Sequence, residues 1–373
     1  MKKTLSIVLV LLILVIGQSF ANTVETLTLE ETYGILEENN TDLKLLDEKI
    51  ALDELRIEKA RISAKNNIYI GKYLTDDEYM EKVFIRDYDV EEKKVALEQR
   101  KREKEDKMKS LRSDVYSKYL DLNAKDMSKK LLLKQLEQLK DDQRIVEVKL
   151  AQGMAVDLTL EKVKNEIAVK ENQIKDIESA MQNTVYELNQ ILGLPIETKI
   201  EVQENILLKT INGDLMNDIS TVAIAPLVEE QSSIINTKED LELLELKQSL
   251  IDDNIGDDND RYEDIVEDIV DQKDVIVKAE KEATYKIYSA MNTLNQSRNN
   301  YLTAKNSLTV NEKMYAVDLV KYEIGHITFN ERMATYNAMF NQYIQANDNK
   351  QTYLSQLEDF KIKYLTEEAP SPF

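Results

Sequence analysis

From Val90 to Leu150 the chain contains neither Gly nor Pro, and apolar residues recur at steps of three and four, as in Met108, Leu111, Val115, Tyr119 and Leu122. That spacing lines one face of an α-helix. Unbroken, such a helix runs on the order of 90 Å at about 1.5 Å per residue. A compact globule cannot bury a stripe of that length, so the helix must pack lengthwise on others, as in coiled coils and long bundles. The next segment supplies a partner. Asp157 to Leu192 is a second helical run, reached through "AQGMAV" and ended by "ILGLP", where Gly193 can take positive φ and Pro195 blocks continuation. The two runs predict an antiparallel hairpin with Gly153 at its apex.

The second half of the chain repeats this plan. "KYEIGHITFN" has the layout of "KLAQGMAVDL", with Gly325 lying 172 residues (325 less 153) after Gly153. At the same offset Tyr116–Ser117 meets Tyr288–Ser289, Leu122–Asn123 meets Leu294–Asn295, Leu136 meets Leu308, Val148–Lys149 meets Val320–Lys321 and Asn165 meets Asn337. "TDLKLLDEKIAL" at Thr41 also resembles "EDLELLELKQSL" at Glu239, at a different offset. With only eight Gly and four Pro in 373 residues, the fold class is all-α: two tandem repeats of long helical hairpins, with at most very short strands. A short strand is expected at "TKIEVQ".

Local signals place the helix ends. Thr28 stands three residues before Glu31, the spacing of a capping box, so a short helix begins there. It should stop at Asn39–Asn40, and Thr41 can cap a second helix with Leu43, Leu46, Ile50 and Ile57 at helical spacing. At the second apex Thr328 and Glu331 again fit a capping box, and Asp157 is a candidate cap for the first.

Composition excludes several function classes. The net charge of -21, from 70 acidic and 49 basic residues, would repel a phosphate backbone, so nucleic-acid binding is not expected. Without cysteine there are no disulfides, thiol chemistry, cysteine zinc sites or lipidated cysteine. The one histidine, His326, follows the apex Gly325; with no second His or Cys beside it, it reads as a turn residue and not a metal ligand. "DDNIGDDND", Asp252 to Asp260, lacks EF-hand spacing and reads as a solvated turn between helices. The basic run "KKVALEQRKREKEDKMK" interleaves acids and reads as a solvated helix face with i,i+4 pairs. No nucleophile–base pair or phosphate loop is present, so neither enzyme activity nor a cofactor is expected. The first 21 residues combine Lys2 and Lys3, an apolar run from Leu5 to Ile16 and small residues at Ser19 and Ala21. This reads as a secretory leader, with the mature chain starting near Asn22.

The duplication, the leader and the "K-x-x-x-G" apex in each half resemble the TolC-like outer-membrane efflux protein family. "LTLEETYGILEENNTDLKLLDEKI" is similar to its opening segment. "VKLAQGMAVDLTLEKVKNEI" and "VKYEIGHITFNERMATYN" are similar to its hairpin turns, and "LNQILGLP" to its first-repeat ending. The resemblance divides the chain into a leader (1–21), repeat 1 (22–192), a connector (193–235), repeat 2 (236–366) and a flexible tail (367–373). It implies a homotrimeric tunnel in the cell envelope, the outer component of an export system that meets a periplasmic adaptor and an inner-membrane pump. It further implies that Gly153, Asp157, Gly325, His326, Thr328 and Glu331 form the docking or gating tip. The family's outer end is a β-barrel, and here the sequence departs. A spanning strand takes about 9 to 11 residues, whereas the gap from Asn66 to Val90 offers only "NIYIGKY" and "EKVFIRDY", and Asp252 to Glu263 offers none. An ordinary barrel is not expected. That leaves a second reading open, a non-conducting helical scaffold of the envelope.

Overall fold

The computed structural model describes residues 25–68, 74–202 and 223–365. The leader, most of "NIYIGKY", much of the connector and the tail lie outside the described residues. Two short strands, β1 (Glu25–Leu27) and β2 (Ile200–Val202), pair in parallel with Leu27 opposite Val202. The helices are α1 (Leu29–Asn39), α2 (Thr41–Asn66), α3 (Asp76–Val83), α4 (Asp89–Ala151), α5 (Asp157–Leu192), α6 (Ile224–Glu229), α7 (Ser232–Ile255), α8 (Asp260–Glu323) and α9 (Phe329–Tyr364). A single π-helical turn, Phe84–Tyr88, joins α3 to α4. The long breaker-free run is thus one helix of 63 residues, and its counterpart α8 has 64.

The short strand expected at "TKIEVQ" is β2; its partner β1 had no sequence signal. The Thr28–Glu31 capping box forms, with the Thr28 N–H donating to Glu31 Oε2 at 2.8 Å and the Glu31 N–H to Thr28 Oγ1 at 3.2 Å. One sequence expectation is corrected. The cap of α2 is Asn40 and not Thr41: Asn40 is extended (φ -61°, ψ 127°) and its Oδ1 accepts from the N–H groups of Asp42 and Leu43, a role in which Asn is at least the equal of Thr. "EKVFIRDY" is helical, not a strand. Thr75 and Glu78 form a capping box that starts α3, and Met80 and Val83 are then fully buried at helical spacing. Within the expected connector, α6 and the start of α7 are helical, with Leu227, Val228 and Ile234 buried.

The described residues sort into two compact units, one drawn from Met1–Asn39, Arg112–Ile211 and Leu294–Glu358 and the other from Asn40–Leu111, Asn212–Thr293 and Asp359–Phe373. In the first, Tyr116, Leu120 and Ala124 of α4 pack with Leu29 and Leu354, and Leu132 meets Ile174 of α5 and Phe340 of α9. Asn189 donates to the carbonyls of Ile196 and Thr198 at 2.9 and 2.8 Å, fastening the Gly193 turn that leads to β2. In the second, Met80, Val83, Ile251 and Ile265 form one core, and Leu227, Val228, Ile234, Ala283 and Ile287 another. The acidic stretch Asp252–Asp260 is a turn between α7 and α8, as its composition predicts, with Gly256 at φ 83°. The basic run of α4 meets its expectation in part, with Lys109 paired to Glu105 at i,i+4. Lys94, Lys101 and Arg100 do pair locally, at i,i+3, with Glu91, Glu98 and Glu103. Lys107, Lys104 and Arg102, however, reach Asp42 and Asp47 of α2 and Glu239 of α7. The run therefore bridges helices as well as facing water.

Candidate functional site

Both apices lie in the first unit and are built alike. At the first, Gly153 takes φ 68°, its N–H donates to the Leu150 carbonyl at 2.9 Å and the Met154 N–H to the Lys149 carbonyl at 2.8 Å. At the second, Gly325 takes φ 76°, its N–H donates to Tyr322 at 3.0 Å and the His326 N–H to Lys321 at 2.8 Å. This is a Schellman motif, which satisfies carbonyls left open at a helix end and requires a left-handed residue after it. Each bond of one turn has its equivalent 172 residues on. The lysine of each "K-x-x-x-G" supplies the carbonyl that closes the outer ring of the motif.

The two restarts differ. Thr328 closes a capping box: its N–H and hydroxyl donate to Glu331 Oε2 at 2.7 and 2.8 Å, and the Glu331 N–H donates to Thr328 Oγ1 at 3.3 Å. Those donors, the Thr328 N–H first and its hydroxyl second, hold the Glu331 carboxyl below its ordinary pKa. In the first apex the cap position is Val156 (φ -112°, ψ 151°), with no side-chain bond. Asp157 does not cap, which corrects the expectation: it is the first helical residue, where its charge favours the positive end of the helix. Val156 has only methyl groups to offer; it stays extended with no side-chain bond, its carbonyl accepting from the Thr159 N–H at 2.9 Å.

The tips are solvent-exposed, and their apolar residues with them. Met154, Val156 and Leu158 are 68%, 63% and 58% exposed, and Ile324 beside Gly325 is 61% exposed. Gly153, Asp157, Gly325, His326, Thr328 and Glu331 are all exposed. Among the described residues no group of acidic or histidine side chains could hold a metal ion.

The two hairpins are joined by apolar packing and also by a buried pair that sequence reasoning missed. Arg332 Nη2 of α9 donates to Asp142 Oδ2 of α4 at 2.7 Å, and both side chains are under one-tenth exposed. The Arg332 guanidinium also lies 4.6 Å from the Tyr322 ring centroid and 5.1 Å from that of Phe329, in cation–π range. Burial raises the Asp142 carboxyl above its ordinary pKa although Arg332 pulls it down. Nearby, Lys170 of α5 lies over the Phe340 ring at 5.4 Å, and Tyr315 and Tyr336 are in ring contact at 5.1 Å. One sequence signal could have found the pair. At the repeat offset Asp142 stands opposite Met314 and Arg332 opposite Leu160, so two positions that are apolar in one half are oppositely charged in the other.

No protein-family model matches the chain, and no curated protein sequence matches it. Solved structures do. The outer-membrane channel OprN superposes with a TM-score of 0.70 at 9% identity, over 90% of this chain and 89% of that one. The Campylobacter jejuni CmeC outer membrane channel gives 0.64 at 14% identity, over 90% and 85%. The open state of the Neisseria gonorrhoeae MtrE outer membrane channel gives 0.64 at 10%, over 93% and 94%. The chain has the TolC-like fold. At these identities it is architecture that is shared, and this TolC-like chain carries the fold's paired hairpins while its described residues include no strands beyond β1 and β2.

Proposed function

We propose that this TolC-like chain is exported after removal of residues 1–21 and serves as the outer component of an export or efflux system. In this reading it is a passive conduit, not an enzyme. Repeats 22–192 and 236–366 of three copies form a helical tunnel, joined within each copy by the 193–235 connector. The tips at Gly153–Asp157 and Gly325–Glu331 receive a periplasmic adaptor, with an inner-membrane pump beyond it. The observation that carries the reading is the match in fold to outer-membrane channels over about nine-tenths of both chains.

Exposed seams support self-association. On α2, Leu45 and Leu52, and Leu55 and Ile62, are spaced by seven and are 47 to 68% exposed. Val310 and Val317 on α8 and Ile324 just beyond its end are likewise spaced by seven and 54 to 61% exposed. Apolar residues at a seven-residue spacing are what one helix offers another in a coiled coil. Mass measurement of the purified mature protein tests the reading: a trimer is expected, and a stable monomer at micromolar concentration would overturn it.

The scaffold reading is favoured by a separate observation. Only the five residues 69–73 lie outside the described structure between α2 and α3, and α7 passes to α8 through Gly256–Asn259. Neither place has room for a pair of spanning strands. No helix among the described residues is long and apolar enough to cross a membrane. Release of the mature chain by osmotic shock, with no change in efflux on deletion, would select the scaffold; extraction only by detergent would select the duct.

A further inference from the structure

The π-helical turn Phe84–Tyr88 interrupts the path from α3 into α4, and an open cavity of about 320 Å³ follows it between α4 and α7 in the second unit. Its apolar lining is Val95, Leu243 and Leu244, with the small Ala96 leaving width between the helices. Its polar lining is Tyr88, Glu92, Gln99 and Asp240, two carboxylates and no base. A π turn alone would leave a gap between helices, but it would not fix the sign of the charges around it. Asp240 accepts from Gln99 Nε2 at 2.9 Å through Oδ1, and among the described residues it has no basic partner. Glu92 pairs with Lys93 through Oε2. The Tyr88 hydroxyl is pushed up by burial and then by the nearby charges of Glu92, Asp89 and Asp240.

We propose that this cavity binds an organic ammonium ion with a flat or branched apolar body. Leu243, Leu244 and Val95 take the apolar part. Asp240 and Glu92 neutralise the ammonium, and the Tyr88 ring offers a face on which a cation is favoured. An anion would meet two carboxylates, and a neutral molecule of the same shape would leave Asp240 without a counter-charge, so charge is the discriminating property. The site lies outside the hairpin tips and does not depend on the duct reading.

Titration of 1-naphthylmethylammonium into the purified full-length chain, followed by calorimetry, tests this, with 1-naphthylmethanol as the neutral match. Saturable binding of one ammonium per chain is expected, at least about tenfold tighter than the alcohol. Asp240→Asn with Glu92→Gln keeps shape and the Gln99 bond, and should erase that preference while leaving the alcohol's affinity unchanged. Ala96→Trp should remove binding of both. Equal affinity for ammonium and alcohol, absence of saturation, or an undiminished preference in the double variant would each overturn the proposal. The isosteric double variant decides the matter even where Ala96→Trp disturbs folding.

Discussion

A Cβ built on Gly325 or Gly153 would meet nothing within 4 Å, so what these positions require is a backbone that tolerates positive φ, not empty space. That requirement was legible in the sequence because the Schellman motif is local. So was the Thr328–Glu331 box, which needs one hydroxyl and one carboxylate three residues apart. The caps that were misplaced, at Asn40 and Val156, depend on which of two neighbouring residues stays extended; Asn40 and Thr41 are both good caps, and at the first apex the backbone puts Val156 in the cap position although Asp157 is the better capping side chain. The asymmetry between the tips gives a measurable difference. Thr328→Ala should weaken the start of α9 by about 1 kcal/mol, read as about fivefold faster hydrogen exchange at the first amides of α9. Val156→Thr with Thr159→Glu, which writes a capping box into the first apex, should slow exchange at the start of α5. Because the folded Glu331 carboxyl is held low, the box contributes fully above the ordinary glutamate value of about 4.3 and is lost as pH falls through the lowered one. Exchange protection at the second apex should therefore decline in acid in a way that Glu331→Gln does not show.

Helices as units were legible, and the contacts between them were not. The 63- and 64-residue helices follow from periodicity and the absence of breakers, both properties of a single segment. The helix made from "EKVFIRDY" was missed because charge interrupts its apolar pattern. Its Thr75–Glu78 box was nevertheless present in "TDDE" and outweighs the β-branched residues that follow. The Asp142–Arg332 pair joins helices 190 residues apart, and no local rule pairs them. Its energetics are set by burial. Removing one partner leaves the other charged and dry, so Asp142→Asn or Arg332→Leu alone should cost about 3 to 5 kcal/mol. Asp142→Met with Arg332→Leu substitutes the residues the chain itself uses at the equivalent positions, Met314 and Leu160. It should be neutral, or more stable by about 1 to 4 kcal/mol, since buried ion pairs seldom outperform packed apolar side chains. Arg332 Nε, buried without an acceptor, pushes in the same direction. Denaturant midpoints of the two single variants and the double variant measure this cycle. The raised Asp142 pKa adds a pH signature. A carboxyl bound more tightly to its proton when folded contributes stability below its ordinary pKa and loses it as pH rises through the raised value, so the gain of the double variant over wild type should grow with pH across that window.

At the scale of the molecule, the chain buries one face of its helices and leaves another apolar face in water. On α2, Leu43, Leu46 and Ile57 are buried, while Leu55 and Ile62 on the other side are 68% and 52% exposed. A soluble single copy gains nothing from that second seam, since scattered apolar residues are ordinary but heptad-spaced rows are not. Under the proposed assembly, the rows on α2 and at the end of α8 are the surfaces expected to meet a second copy of this chain. A charge placed in each row tests the assignment without touching any buried core. Leu55→Glu with Val317→Glu introduces two carboxylates where a neighbouring helix would exclude water, and each also gives up the roughly 1.5 to 3 kcal/mol of burying its apolar side chain. Association should weaken by a hundredfold or more, seen as a shift from trimer to monomer mass at micromolar concentration. Helical content should remain that of the parent, because both positions face water within one copy. Lys162→Glu, exposed on α5 and outside either row, should leave the mass unchanged. A double variant that kept its trimeric mass would show that the copies meet elsewhere, and the seven-residue rows would then have to be explained by a partner other than a second copy.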